Sequence, residues 1–461
     1  MSDRAHYFFV FILIVFYFSC SDSETEPEDC AGIINGSSIC GCTDSTALNY
    51  DSTATYDDGS CLDCAGVEGG NNICGCMDSS ATNYNLDATF DDGSCSYCGV
   101  DTSFSIVLQG TAGYDIVRSS NCSYVMSGLS ESSGNKTILL KIDELGNEVW
   151  SRTYSEITGS HWGKSVNKTD DGGYIIGANQ NIIIKTDSTG SLQWHKKLSY
   201  SYHHYVEDVI QTFAGDYIVV GGVGGDPIGG HSQKGKAFIL RMSEGGGVQW
   251  VKRYGISDTP MNSFWGVVQA DDGGFVLAGE KLQDRNIEFY DHFWIVKTDG
   301  NGDMEWSHEL GGNLWDEALD IVKLSDDSYI LAGKTSLSSS NLDMWVMRVS
   351  SSGDILWQNN HGNNNNETAT SLTVSENEDI VAVVGYTRSS SSSPFKYRIW
   401  GVDVATGQVI WNKIHGGNQE DKAYGVVESY DQGFNMVGRS YSFGSDRVNW
   451  LVKTDSVGNV N

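Results

Sequence analysis

The chain has 461 residues and a formal net charge of −31 at pH 7, and glycine (54 residues) far outnumbers proline (4). So large an excess of carboxylates argues against docking on nucleic acid or on anionic lipid, because both need clustered lysine and arginine. Aromatic residues make up 11% of the chain and, with glycine-rich turns, they predict an all-β protein. A highly charged surface keeps a protein soluble, which is one explanation of the negative charge. Binding of divalent cations is the alternative explanation.

An apolar run of signal-peptide length occupies residues 7–18 and stops at Ser19 and Cys20. A small residue followed by cysteine resembles the lipobox of bacterial lipoproteins, although an aromatic pair stands where that motif has smaller aliphatic residues. The resemblance implies a signal peptide over 1–19, lipidation of Cys20 and an acidic tether over 20–29, as in surface lipoproteins of the Bacteroidetes type. We therefore expect a membrane-anchored protein at the outer membrane or cell surface. An ordinary cleaved signal peptide and a secreted protein are the alternative.

Residues 30–98 contain two copies of one cysteine-rich module, since residues 41–61 (GCTDSTALNYDSTATYDDGSC) align with 75–95 (GCMDSSATNYNLDATFDDGSC) at a period of 34 residues. The segment has few large apolar residues, and small exported modules of this kind are held by disulfides. The sequence leaves their connectivity open. One pairing that fits the spacing is Cys30–Cys40, Cys42–Cys61, Cys64–Cys74, Cys76–Cys95 and Cys98–Cys122.

The same modules are rich in aspartate, which suggests calcium because Ca²⁺ takes about six to eight oxygen ligands. They resemble the short Cys- and Asp-rich repeats of secreted Bacteroidetes proteins and lack the dense DxDxDG pattern of thrombospondin type 3 repeats. Asp-Asp-Gly-Ser is also an ordinary turn sequence, so a disulfide-stapled spacer without metal is the alternative. The candidate calcium ligands are Asp57, Asp58, Asp91 and Asp92.

Residues 99–461 repeat a unit of about 50 residues. Each unit has an Asp-Gly-Gly-like turn before one apolar strand, a second apolar segment that ends in a basic residue, and a glycine four residues before a tryptophan. Four short strands per unit are typical of a β-propeller blade. The repeated tryptophans, which we expect in the core, are Trp150, Trp194, Trp250, Trp306, Trp357 and Trp411.

The last unit, residues 421–458, supplies only three strands. Residues 103–110 (SFSIVLQG) stand before the first unit without partners of their own, so we expect them to add the missing strand and close the ring. Closure removes the exposed sheet edges that promote aggregation. Six tryptophan-bearing units and one split unit predict seven four-stranded blades, with Ile106 and Leu108 in the sheet that contains Trp450; six or eight blades are the alternatives.

The segment VDVATGQVIW at 402–411 resembles the tryptophan-docking motif of quinoprotein-like propellers, and residues 103–461 resemble the propeller lipoproteins and secreted propellers of Bacteroidetes. The resemblance implies a fold and no activity. Pyrroloquinoline quinone enzymes of that family usually have eight blades and an adjacent cysteine pair beside the cofactor. This sequence predicts seven blades and has no adjacent cysteines, so the cofactor is not carried over.

Propellers bind ligands where their innermost strands meet around a central channel. Aligning the units on the strand after the Asp-Gly-Gly turn gives seven equivalent inner positions, and all are small or acidic. Crowding of the inner strands explains small residues, and the alternative is a polar channel that holds a cation or water through its aspartates. The channel-lining candidates are Asp115, Ser165, Asp208, Gly266, Asp320, Thr373 and Gly425.

Aromatic residues lie just upstream of these positions. They do not share one aligned position, which favours packing between blades, and the alternative is a platform on which sugar rings stack. The candidates are Tyr114, Trp162, Tyr205, Trp265, Trp315 and Tyr424.

No catalytic motif stands out, and no catalytic residue is assigned. His203 and His204 are a metal-binding candidate, but adjacent residues of a strand point to opposite faces. The sequence therefore predicts a monomeric binding module that recognises a polysaccharide or a surface protein and no nucleic acid. An extracellular enzyme, such as a glycan-degrading one with its site at the channel mouth, is the alternative.

Overall fold

The computed structural model divides the chain into two compact units, Met1–Tyr97 and Cys98–Asn461. The predicted signal peptide and Cys20 lie outside the described residues. No described residue belongs to a helix long and apolar enough to span a bilayer. The description covers residues 28–461 except 79–80, 82–83, 96, 100–101, 199–202, 225–235, 256–261, 286–287, 313, 339–340, 363–365, 391, 445 and 461.

The two modules of the first unit share one small structure. Cys40–Gly41 pairs in parallel with Tyr56–Asp57, and Cys74–Gly75 pairs in the same way with Phe90–Asp91. Four disulfides, all within this unit, confirm the pairing expected for the modules: Cys30–Cys40, Cys42–Cys61, Cys64–Cys74 and Cys76–Cys95.

Cross-links, rather than an apolar core, hold these modules together. Among the described residues of the unit, the buried hydrophobic side chains are Cys42, Cys76 and Ala81. Leu48 and Leu86 are 66% and 81% exposed. A segment with so little buried apolar surface depends on covalent bonds to stay folded.

The second unit is a seven-bladed β-propeller over its described residues, because its strands form seven antiparallel groups of four, of which five are separate sheets and two are joined in one eight-stranded sheet. A single residue pair, Gly222 and Ser263, joins the sheets of blades 3 and 4 at one point. From the innermost strand outward, blade 1 is Thr111–Ser119, Ser123–Ser130, Lys136–Asp143 and Glu148–Thr153; blade 2 is Gly163–Lys168, Tyr174–Ala178, Ile182–Thr186 and Leu192–Lys197; blade 3 is His203–Gln211, Tyr217–Gly224, Ala237–Met242 and Val248–Tyr254; blade 4 is Ser263–Gln269, Phe275–Arg285, Glu288–Thr298 and Met304–Leu310; blade 5 is Glu317–Lys323, Tyr329–Ser338, Asn341–Val349 and Ile355–His361; and blade 6 is Asn366–Val374, Ile380–Arg388, Lys396–Asp403 and Val409–His415.

Blade 7 closes the ring with strands from both ends of the unit. Asp421–Glu428, Phe434–Ser440 and Val448–Thr454 are followed by Phe104–Leu108 as the outermost strand. In that pairing Ile106 lies opposite Leu451, Val107 opposite Trp450 and Leu108 opposite Asn449. The expected closure by the N-terminal strand is therefore confirmed.

The second and third strands of a blade are buried on both faces. Successive side chains of a strand point to opposite faces, so they pack alternately against the preceding and the following blade. Val276 of blade 4 packs in one cluster with Leu331 of blade 5, whereas Leu277 packs with Val220 of blade 3. This is why these strands read as continuous apolar runs, such as YIIGA at 174–178.

Tryptophans on the outermost strands dock on the next blade. Each lies against a turn glycine with positive φ, and a Cβ on Gly302 would come within 2.7 Å of the Trp250 ring. At the seam Phe104 occupies the tryptophan position opposite Lys453, and Gly146 lies against its ring. The docked pairs are Trp150–Gly190, Trp194–Gly246, Trp250–Gly302, Trp306–Gly353, Trp357–Gly407 and Trp411–Gly458.

Candidate functional site

A cavity of about 570 Å³ lies in the channel between the innermost strands. Each of these strands carries a β-bulge, whose extra residue is left out of the ladder, and all seven extra residues line the cavity. The bulge residues are Tyr114, Lys164, Glu207, Trp265, Leu319, Thr370 and Tyr424.

The residues directly after the bulges form the next level of the channel. Four of the predicted channel residues, Asp115, Ser165, Asp208 and Asp320, line the cavity here. Gly266 and Gly425 occupy equivalent positions in blades 4 and 7 but are not among the lining residues.

The prediction of Thr373 for blade 6 is displaced by two residues. The position after the bulge is Ser371, which pairs with Val384 and lines the cavity, whereas Thr373 pairs with Ala382 nearer the turn. In blades 2 to 7 this position lies nine residues before the first residue of the second strand, which is Ile380 in blade 6, and in blade 1 it lies eight residues before Ser123. Alignment by residue type alone selected the wrong polar residue of the strand.

The three aspartates join neighbouring innermost strands. Asp115 accepts hydrogen bonds from the Ile116 N–H of its own strand and, at 2.8 Å, from the Val166 N–H of blade 2. Asp208 and Asp320 do the same toward Val267 of blade 4 and Leu372 of blade 6. The aspartates therefore clamp blades 1 to 2, 3 to 4 and 5 to 6, and each receiving blade has a small residue at the equivalent position.

Burial raises the pKa of each of these carboxyls, and their mutual repulsion adds to the effect at two of them. The pKa of Asp115 rises to about 8, that of Asp208 to about 7 and that of Asp320 to about 6. The backbone N–H groups that they accept from oppose the shift. Near neutral pH this level of the channel therefore holds both protonated and ionised aspartates.

Aromatic side chains gather at the bulge level. The cavity is lined by four of the predicted candidates, Tyr114, Trp162, Trp265 and Tyr424, and by Tyr386. The centroids of the Tyr114 and Tyr424 side-chain rings lie 5.4 Å apart, across the junction between blades 1 and 7.

Two of the aromatic candidates lie elsewhere. Tyr205 and Trp315 are 41% and 56% exposed and do not line the cavity. Sequence reasoning missed Tyr386 because it stands on a second strand, opposite Thr368, rather than on an innermost one. Pairing the first two strands of blade 6 in register would have placed Tyr386 opposite Thr368, next to the channel.

Charged pairs complete the bulge level. Lys164 forms an ion pair with Glu207 of the next blade, and its Nζ lies 5.7 Å from the centroid of the Trp265 ring. Lys334 pairs with Glu317 at 2.8 Å. Sequence reasoning missed all four, although Lys164 and Glu207 stand directly before the predicted channel residues Ser165 and Asp208.

The predicted calcium ligands of the modules accept hydrogen bonds from backbone N–H groups within their own turns. Oδ1 of Asp57 accepts from Gly59 N–H and Oδ1 of Asp58 from Ser60 N–H, and Asp91 and Asp92 repeat the pattern. Calcium at these residues stays a prediction. The side chains of His203 and His204 lie outside the described part of the chain.

No protein-family model matches this chain, and no curated protein matches it. Among solved structures it is similar to the Pan2 WD40 domain of Neurospora crassa, with 10% identity, a TM-score of 0.49, and 79% of this chain and 100% of that one covered. It is also similar to BamB of Moraxella catarrhalis, with 13% identity, a TM-score of 0.39, and 76% and 98% covered. Both scores are below 0.5, so the propeller assignment depends on the sheet order described above.

Proposed function

We propose that this protein is an exported, lipid-anchored, monomeric binding module, and that its propeller binds a polysaccharide at the bulge level of the channel. The observation that carries the proposal is the set of five aromatic side chains lining one cavity beside two lysine–carboxylate pairs. Sugar rings have apolar faces that stack on aromatic rings, and hydroxyls that hydrogen-bond to charged groups. The volume is within the range of about 300–1,000 Å³ that is usual for small-ligand sites.

Export is supported by the cysteines. Ten cysteines form five disulfides, and such bonds persist in oxidising compartments and are rare in the cytosol. The apolar run before Cys20 supports a lipid anchor on a protein exported to that compartment.

A panel of soluble polysaccharides and an oligosaccharide array test the proposal with the purified protein. We expect retention of at least one glycan class, and Trp265→Ala should weaken that binding by tenfold or more because it removes a ring from the cavity wall. Trp315→Ala is the matched control, since it deletes an exposed tryptophan outside the cavity.

Three outcomes contradict the proposal. Retention of no glycan overturns the polysaccharide ligand, and equal losses from both variants overturn the location of the site. Release of shortened sugars from a retained glycan would identify an extracellular enzyme instead.

A further inference from the structure

Three carboxylates converge between blades 4 and 5, and one of them, Glu317, lines the cavity. Glu280 comes from the second strand of blade 4, Asp291 from its third strand and Glu317 from the start of the innermost strand of blade 5. One oxygen from each side chain lies within 4.8 Å of the other two. Within the described ranges, no other group of three histidine, cysteine, aspartate or glutamate side chains comes this close together.

Glu280 is buried, and its one described cationic neighbour is shared with other carboxylates. The residue is 8% exposed, and the cation that acts on its carboxylate is Lys334, which is itself ion-paired with Glu317. Removing a carboxylate from water without a partner is strongly unfavourable, so buried charges are normally paired or bound to a metal ion. Lys334 attracts all three carboxylates, so its single charge is shared among them and does not neutralise Glu280 fully.

The local charges leave a deficit that a divalent cation fills. Three carboxylates carry three negative charges when ionised, and the one ion pair described for them, Lys334 with Glu317, returns one positive charge. Two negative charges therefore remain. The neighbouring Asp316 already accepts hydrogen bonds from Gly312 N–H and the Thr335 hydroxyl, so we do not count it as a ligand.

We propose that Glu280, Asp291 and Glu317 bind a calcium ion. An all-oxygen ligand set is typical of hard cations, and two oxygens on opposite sides of Ca²⁺ lie about 4.6–5.2 Å apart, which accommodates the observed spacing. Glu317 also lines the cavity, so channel water can supply the remaining ligands. The site belongs to the propeller, uses none of the aspartates of the cysteine-rich modules, and does not depend on the polysaccharide proposal.

Calorimetric titration of the chelator-treated full chain with CaCl₂ tests the site. We expect one propeller site with a Kd of about 0.1–1 mM, the range of extracellular calcium sites, and a higher thermal midpoint in calcium. Glu280→Gln should weaken calcium binding at least tenfold. The same substitution should raise the midpoint of the metal-free protein, because it removes one of three mutually repelling carboxylates that share the single Lys334 cation.

The matched control removes the other calcium candidates. A variant carrying Asp57→Asn, Asp58→Asn, Asp91→Asn and Asp92→Asn should keep the propeller site, and loss of all binding in it would overturn the proposal. Absence of calcium heat together with an unchanged midpoint in the wild type would indicate a shared proton instead and would also overturn it.

A second measurement covers the case in which Glu280→Gln fails to fold. Crystals of the wild type soaked in MnCl₂ should show an anomalous scattering peak between the three carboxylates. A peak elsewhere, or none at this place, contradicts the assignment independently of any variant.

Discussion

At the scale of single residues, the channel is organised by one position that alternates between aspartate and a small residue. Asp115, Asp208 and Asp320 each reach across to the next blade, and the receiving blades carry Ser165, Gly266 and Ser371. Seven is odd, so the alternation cannot continue around the ring. Blade 7 has Gly425 there, where a Cβ would lie only 2.8 Å from the Asp115 Cα.

From the raised pKa values of these aspartates we predict that the free energy of unfolding of the propeller falls as the pH rises. Their pKa values in the folded state, about 8, 7 and 6, lie above the ordinary 3.8, so these three carboxyls bind more protons in the folded protein than in the unfolded chain between pH 4 and 8. Under proton linkage the free energy of unfolding therefore falls as pH rises through that window. Thermal unfolding followed by circular dichroism should give a lower midpoint at pH 9 than at pH 5.

Asp115→Asn provides the control for this pH dependence. The amide cannot ionise, so the midpoint of the variant should change less between pH 5 and pH 9, although it is lower overall because one acceptor between blades 1 and 2 is lost. An unchanged slope in the variant, or a wild-type midpoint that rises with pH, would disprove the role of these carboxyls.

At the scale of elements, the unit of assembly is a tryptophan on one blade and a turn glycine on the next. Gly302 has φ of +78° and lies under the Trp250 ring, whereas Gly273 has φ of +84° and has no atom within 4 Å of where its Cβ would be. The two glycines share a backbone conformation and differ in their surroundings. Substitution at Gly273 therefore measures the cost of backbone strain alone, and substitution at Gly302 measures that cost together with the loss of tryptophan docking.

Gly302→Ala should destabilise the protein more than Gly273→Ala does. A side chain in the left-handed region costs about 1–2 kcal/mol in either variant. The clash with Trp250 should add about 1–3 kcal/mol in Gly302→Ala alone. Urea unfolding measures both free energies, and equal values would show that the tryptophan contact contributes nothing.

The sequence predicted the elements well because they repeat. Spacing of glycine and tryptophan located the blades, and the unpaired strand at 103–110 predicted the closing pair with Trp450. It did not predict the bulges, since an extra residue that turns toward the channel has no signature in composition. That is why Thr373 was chosen over Ser371 and why Lys164 and Glu207 were missed. The convergence of Glu280 with Glu317 was equally invisible, because it joins strands of different blades.

At the scale of the whole molecule, the ring is closed by one short strand that a disulfide encloses. Cys98 is bonded to Cys122, in the first turn of blade 1, and the closing strand Phe104–Leu108 lies inside that loop of 24 residues. A cross-link reduces the conformational freedom of the unfolded chain and so favours the paired state. Closure of the propeller is therefore covalently assisted.

Replacing Cys98 and Cys122 together by serine should lower the free energy of unfolding of the propeller by about 3 kcal/mol, the amount expected for a loop of this size. Denaturant unfolding followed by tryptophan fluorescence reports on the propeller, because all the docked tryptophans belong to it. Replacing Cys30 and Cys40 is the control, since that disulfide lies in the other unit. A similar loss from both pairs would contradict a specific role in closure.

The Cys98–Cys122 bond also has a mechanical consequence. A pull applied to the chain ahead of Cys98, as on a tethered protein in flowing liquid, passes through the two sulfur atoms directly into blade 1. Residues 99–121 are then bypassed and carry no tension. The strand on which the ring depends is thereby shielded from the force that would otherwise peel it away.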